Sequence, residues 1–459
     1  MAAVDLKRYA AFLKDYTELR MQENRTIGIG FLNGNNTGNS RSSSRGVSAR
    51  VYRQGSWGFA SSPDPSDDSI KAVLSLAQQN ADFLHAREDK GQGPLPSVVA
   101  HLEKDFSTKK PRLSQKDLLA YAKEVDNYIS TKYPDLTSRS VGLSSLEIEK
   151  TLLTSEGSFY RSLIPRSFIY INLAAQANDG PVEVFDLHGG LGQFEDTLPS
   201  DEVLHSMIDR LYEHLMRKKE GVFAEAGVKT CILDAKLGGI LAHEAIGHTT
   251  EADLVLSGSV AGRLLNQEVA SPLITLVDFA HTAFGEVCPV PVYVDDEGTP
   301  GQDVTLIEQG VLRNFMHNKE SARIFGVAPT GNARAYAFSD EPLIRMRNTA
   351  ILPGDSSLED MIASVEDGYY LIQASNGQAD STSEFMFGVV LGYEIKNGKL
   401  GRAIRDTTIS GVAYDVLKTV TMVSDQHWWS SGGMCGKKQA IPVGMGGPAI
   451  KCQITLGGR

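Results

Sequence analysis

The chain has 459 residues, 41% hydrophobic and 22% charged, an ordinary balance for a folded enzyme and more chain than one hydrophobic core normally serves. Its 45 Lys and Arg against 56 Asp and Glu give −11 with no sustained basic run, which excludes a dedicated nucleic-acid binder, whose affinity rests on neutralising phosphates. No apolar run reaches the length of about 18 residues that a membrane span needs, the N-terminus is amphipathic and charged, and four cysteines are too few for a disulfide framework; a reduced, cytoplasmic setting without membrane contact is expected.

In chain order, residues 5–22 show helical periodicity. IGIGFLNG and GVSARVYRQGSWGFASS then read as strands joined through the polar loop NGNNTGNSRSSSR, with Gln54-Gly55 a tight turn, and DDSIKAVLSLAQQNADFLHA reads as a second helix. Residues 92–113 are irregular and Pro-bearing. Ser114 and Asp117 then open a helix in the manner of a capping box. Three strand-like runs follow up to about residue 196, then an amphipathic helix in which His205 and His214 look structural; His188, before a glycine turn, reads the same way. After residue 226 the composition shifts to short strands with turn signals at Asp296-Glu-Gly298, Pro300-Gly301, Gln309-Gly310 and Asn397-Gly398.

The expected fold class is α+β. An N-terminal α/β portion carries small antiparallel sheets and helices, and a C-terminal, mostly antiparallel β domain carries one embedded helix with a metal-site motif. Domain boundaries are placed at 1–110, 111–225 and 226–459.

That motif is LAHEAIGHTTEAD, residues 241–253. Imidazole is a good zinc ligand, zinc polarises a carbonyl and activates water, and a Glu beside a ligating His can take the water's proton. His243 and His248 with Glu244 therefore read as half a zinc-protease site. The spacing is irregular, however: histidines five apart would lie roughly 140° from each other on a regular helix, against about 40° for the familiar spacing of four. Gly247 offers relief by letting the helix end, bulge or kink, and a helix that breaks there is expected.

A catalytic zinc needs a third protein ligand. Glu251, a distant His281, His317 or His427, or a cysteine are all candidates. Cys435 stands out because Gly433 and Gly436 flank it in SSGGMCGKKQ, so backbone can approach closely and a thiolate can be aimed. The same segment lacks the spacer and the Ser/Thr of a phosphate loop, so nucleotide binding is not expected.

HEAIGH with Glu251 three residues on, VDDEGTPGQ, GVLRNFMHN, APTGNARA, RMRNTAILPG and GMCGKKQAIPVGMGGPAI, in this order, resemble the TldD/PmbA family of modulator or peptide-processing metalloproteases. Within it the chain is similar to the TldD-type subunit, which bears the intact H-E-x-x-x-H motif. The resemblance spans nearly the whole chain and is carried by residues 226–455. It implies that His243, His248 and Cys435 ligate Zn2+ and that Glu244 is the catalytic base. It also implies a dimer, either of identical chains or with a PmbA/TldE-type homologue, enclosing a cavity that admits unfolded peptides. Thr249-Thr250 depart from the Gly that often follows the second histidine in that family.

The leading expectation is thus a zinc metallopeptidase whose peptide substrate adds as a strand to a sheet edge. His427 and Tyr393 are the polar side chains considered for a second oxyanion donor. Two alternatives stand beside it: an amidohydrolase with Cys435 as nucleophile and a histidine as base, and a non-catalytic peptide-binding or regulatory subunit with a structural metal.

Overall fold

A computed structural model describes residues 5–88 and 90–458. Two β systems organise them. The first is a seven-stranded sheet made of β1 (Tyr16–Leu32), β2 (Asn35–Arg53), β3 (Ser56–Ser62), β4 (His101–Asp105), β5 (Ser138–Thr154), β6 (Phe159–Ala177) and β7 (Gly180–Leu191). Its order is β3-β2-β1-β5-β6-β4, with β7 also on β6, and every pairing is antiparallel except β4 with β6. Because β1 pairs with β5 from Glu18↔Thr154 to Leu32↔Ser140, the strands of the first 110 residues and those that follow share one sheet instead of the several small ones expected.

Two local expectations change for the same reason. The helix expected over 5–22 is only a 3-10 segment, Leu6–Phe12, capped by the Asp5 side chain; from Tyr16 onward the chain is the central strand β1, hydrogen-bonded on both sides. The polar run NGNNTGNSRSSSR is not a loop but the outer half of β2. Its backbone completes the ladder with β1 while its side chains stay exposed, and Asn33-Gly34, both at positive φ, make the hairpin turn. Pairing demand from a neighbouring strand overrides side-chain propensity.

Helix α1 (Asp67–Arg87), capped by Ser66, lays Ile70, Val73, Leu74, Ala77 and Ala81 into a core with Val47, Ala49 and Val51 of β2. Helix α2 (Gln115–Lys132) begins with the expected Ser114/Asp117 capping box, and with the helix Asp201–Lys219 it covers β5 to β7 through Leu118, Ile129, Ile208 and Leu215.

The second β system has eleven strands within residues 227–456. Five of them close on themselves. Gly227–Leu233 pairs with Asp367–Ala379 on one side and Gly444–Leu456 on the other, and Glu384–Lys396 and Thr407–Val412 complete the ring. The C-terminal domain is mostly antiparallel, as expected, with two parallel exceptions. Gly227–Leu233 runs parallel to Asp367–Ala379, and Asn348–Ile351 parallel to Gly444–Leu456, because long excursions of chain separate the partners and return them in the same direction. The stretch PVYVDDEGTPGQ forms turns organised by the Asp295 carboxylate, which accepts from the backbone N–H groups of Glu297, Thr299 and Ala333, while the strands Val304–Glu308 and Val311–Leu312 flank the Gln309-Gly310 turn as expected.

Buried ion pairs fasten the two systems together: Arg50 bonds Glu18 and Glu297, and Asp296 receives Lys150 and faces Arg20. Among the described residues no helix is long and apolar enough to cross a membrane.

Candidate metal centre

The segment 235–250 changes helix type twice. Asp234 caps an α-helical stretch, Ala235–Leu241, which widens to a π-helix over Ala242–Gly247 and tightens to 3-10 over His248–Thr250. The small residues at its start have a packing reason. A Cβ on Gly238 would lie 2.7 Å from the Pro448 carbonyl oxygen, and one on Gly239 would lie 2.9 Å from the Gly446 nitrogen, so the helix can rest directly on the strand Gly444–Leu456 only without side chains there.

The π segment resolves the spacing of the histidines. Hydrogen bonding i→i+5 brings a residue five positions on back to the same face, and the rings of His243 and His248 meet at 5.3 Å between centroids. The expected break at Gly247 is therefore a widening without interruption: backbone angles stay right-handed through Gly247 (φ −54°, ψ −52°) and His248 (φ −61°, ψ −42°). Gly247 is required by packing, since a Cβ there would sit 1.8 Å from Met346 Sδ. The Thr249 and Thr250 hydroxyls donate back to the carbonyls of Ile246 and Gly247, satisfying acceptors that the wide turn leaves free.

Cys435 arrives on a two-residue ribbon, Met434–Cys435 against Ile441–Pro442. The ribbon is pinned by Arg345, fully buried, which donates to the carbonyls of Cys435 (2.7 Å), Gln439 (2.8 Å) and Lys437 (3.2 Å). The result brings together the three expected ligands: one donor atom each from His243, His248 and Cys435 all lie within 4.8 Å of one another. Cys435 Sγ stands 3.4 Å from His248 Nε2. His243 is fully buried and neither of its ring nitrogens has a hydrogen-bond partner, a state that costs free energy unless something binds there. Two imidazoles and a thiol suit zinc, so the donor set fits the metal that the motif implies.

Glu251 has a different place from the ligand role considered for it. It is wholly buried outside the trio and faces His248 Nδ1 at 3.4 Å, on the ring side away from Cys435, while accepting from Lys437 Nζ at 3.0 Å. Lys437 also donates to Asp253 and to the Ile344 carbonyl. Neither Lys437 nor Arg345 stood out in the sequence; the only signals were cations in GKKQ and RMRN, and their destinations depend on the fold. The other candidates lie elsewhere. His281 stacks on Tyr293, His317 bonds Ser321, His427 packs on Phe284, and the Tyr393 hydroxyl bonds His214. Glu244 remains partly open, 22% exposed, with a carboxylate oxygen 3.6 Å from His248 Nε2.

Burial opposes charge throughout this pocket, yet the partners outweigh it. The two histidines bring the Cys435 thiol down to about 4, whereas burial pushes Cys288 and Cys452 up to about 12. Cys435 and Glu251 raise His248 to about 10 against its own desolvation, and His248 with Lys437 holds the buried Glu251 below the usual carboxylate range. Of the four free cysteines only Cys435 has surroundings that favour the thiolate, the form that binds metal; burial pushes Cys231 up as well.

Fold and candidate centre together define a protein with a His/His/Cys group able to hold a metal ion. Comparison with known sequences gives the family: residues 226–458 match the PmbA/TldA metallopeptidase C-terminal domain, residues 17–81 that family's domain 1 and residues 109–217 its central domain. The chain belongs to the PmbA/TldD metallopeptidase family. It is 30% identical to the zinc metalloprotease TldD homolog of Saccharolobus solfataricus over 90% of each chain, and 29% identical to the metalloprotease TldD homolog of Haemophilus influenzae over 90% of this chain and 87% of that one. The fold is shared with a candidate modulator of a DNA gyrase from Thermotoga maritima (TM-score 0.77, 19% identity, 96% of this chain and 95% of that one) and with TldE from Thermococcus kodakarensis (TM-score 0.73, 18% identity, 99% of each).

Proposed function

We propose that the protein is a zinc metallopeptidase that hydrolyses unfolded or extended peptides, with His243, His248 and Cys435 as metal ligands and Glu244 as general base. The observation that carries this reading is the convergence of the three donor atoms within 4.8 Å around a buried histidine whose nitrogens have no partner. Zinc in that position supplies Lewis acidity toward a scissile carbonyl and toward water. The chain's own groups do the rest. Glu244 accepts the proton of the attacking water and hands it to the leaving amine. Glu251, itself held by Lys437, faces His248 Nδ1 and keeps the opposite nitrogen aimed at Cys435.

The substrate pairs along a sheet edge, so backbone bonds give affinity with little sequence choice. Sequestration from folded proteins comes from dimerisation, with an identical chain or with a TldE-type homologue. Division into units at 1–110, 111–225 and 226–459 is part of the same reading, supported by the three separate family matches.

Metal analysis of purified protein tests the centre: one zinc per chain in wild type, and loss of it in His243→Ala and Cys435→Ala. Glu244→Gln is expected to keep the metal and lose peptide cleavage by at least about a thousandfold, close to the loss seen when a central catalytic group is removed. Undiminished cleavage in that variant would revive a binding or regulatory role. A cysteine-nucleophile mechanism is the second reading, favoured by the thiol lowered to about 4 beside His248. Activity that survives a chelator and is abolished by thiol alkylation selects it over zinc.

A further inference from the structure

A second pocket lies where β5 and β6 of the first sheet face the turns at 290–296, and its far wall is Ile441-Pro442, the strand paired with Met434-Cys435. Five charged residues line it: Lys150, Arg166, Asp295, Asp296 and Arg334. Four of them are satisfied by the protein. Lys150 donates to Asp296 and to the Ala335 carbonyl, Asp295 accepts three backbone N–H groups, and Arg334 donates to the carbonyls of Met346 and Pro442.

Arg166 is the exception. It is 4% exposed, its Nε and Nη2 have no hydrogen-bond partner, and among the described residues it makes no ion pair. The Phe168 ring lies 5.3 Å from its guanidinium carbon. Burial draws the guanidinium down to about 10, and the two carboxylates that share the pocket, Asp295 and Asp296, are engaged with other groups. An unpaired buried guanidinium is unfavourable, and its fork of donors matches a carboxylate in two parallel bonds. Apart from Ser162 and Tyr160 the rest of the lining is apolar, with Ile148, Ile164, Val292, Val294 and Ile441 prominent.

From the unpartnered Arg166 in an apolar pocket that adjoins the Cys435 ribbon, we propose that this pocket is a carboxylate subsite which receives the C-terminal carboxylate of a peptide ending in an apolar residue. The inference rests on the peptidase reading above, and it adds a preference that this reading does not contain: a free C-terminus over a blocked one. The apolar walls take the last side chain and Arg166 pairs with the carboxylate, neutralising both charges away from water.

Calorimetric titration of the full-length protein with an N-acetylated tripeptide ending in leucine, as free acid and as C-terminal amide, tests it. Wild type is expected to bind the acid about tenfold or more tightly than the amide, a preference lost in Arg166→Gln and partly retained in Arg166→Lys. Sodium acetate at high concentration should compete with the acid and not with the amide. Equal binding of acid and amide, absence of binding of either, or an undiminished preference in Arg166→Gln overturns the proposal. Should Arg166→Gln fail to fold, the test passes to acid against amide in wild type and to Arg166→Lys. The peptidase reading fails separately, if the zinc-loaded protein cleaves neither longer free-acid nor longer amidated peptides.

Discussion

At the scale of single residues, the centre depends on side chains that never touch a metal. Lys437 places one ammonium between Glu251 and Asp253, and Glu251 in turn faces the ring nitrogen of His248 that points away from Cys435. Replacing Lys437 with Met leaves Glu251 buried without its cation, and a carboxylate that must then share or gain a proton no longer orients His248. Zinc affinity, read by competition with a chromogenic chelator, is expected to fall 10- to 100-fold, roughly the loss typical of outer-shell partners. A folded Lys437→Met protein with wild-type affinity would show that Lys437 merely braces the loop. Arg345 makes the complementary case: it binds three carbonyls of the ribbon and so shapes the path of Cys435.

At the scale of elements, the π segment sets the geometry of the two histidines, and its tolerance is narrow because Met346 fills the space beside Gly247 and is itself fully buried. Gly247→Ala is expected to cost about 1–3 kcal/mol through overpacking, seen as a lower urea midpoint, and to reduce zinc occupancy by shifting His248. Met346→Ala in the same chain makes room and should restore occupancy; failure of that rescue would mean that the glycine serves the backbone and not the packing. The motif therefore announced a ligand pair with the wrong periodicity, and nothing in LAHEAIGH distinguishes a wide turn from a broken one, because the widening is supported by contacts from residue 346. Local chemistry was readable wherever it is self-contained: the Ser114/Asp117 capping box and the Gln54-Gly55 and Asn397-Gly398 turns are as expected. The strand hidden in NGNNTGNSRSSSR and the parallel pairs of the second β system were not readable, since each is decided by a partner far away in the chain.

At the scale of the molecule, the site is assembled from both ends of the C-terminal half, and that half is tied to the first sheet by charges buried between them. Arg50 on β2 is the central tie: it bonds Glu18 of its own sheet and Glu297 of the turns beyond, lies 3.9 Å over the Trp57 ring, and is 6% exposed. Removing one member of such a network leaves its partners charged, buried and mutually repelling, which costs more than the intact network contributes. Arg50→Met strands Glu18 and Glu297 and is expected to destabilise the chain by about 3–5 kcal/mol. The loss should fall first on the junction. Trp57 is one of three tryptophans, the others being Trp428 and Trp429 in the second β system, so a chain with both of those replaced by Phe reports the junction by fluorescence. With Arg50 present, that signal and far-UV circular dichroism should give coincident urea transitions, because the two β systems unfold together. In the Arg50→Met chain the Trp57 transition should move to lower urea than the dichroism. Coincident, unshifted transitions in both chains would show that apolar contact, and not this buried charge network, holds the two β systems in register around the metal centre.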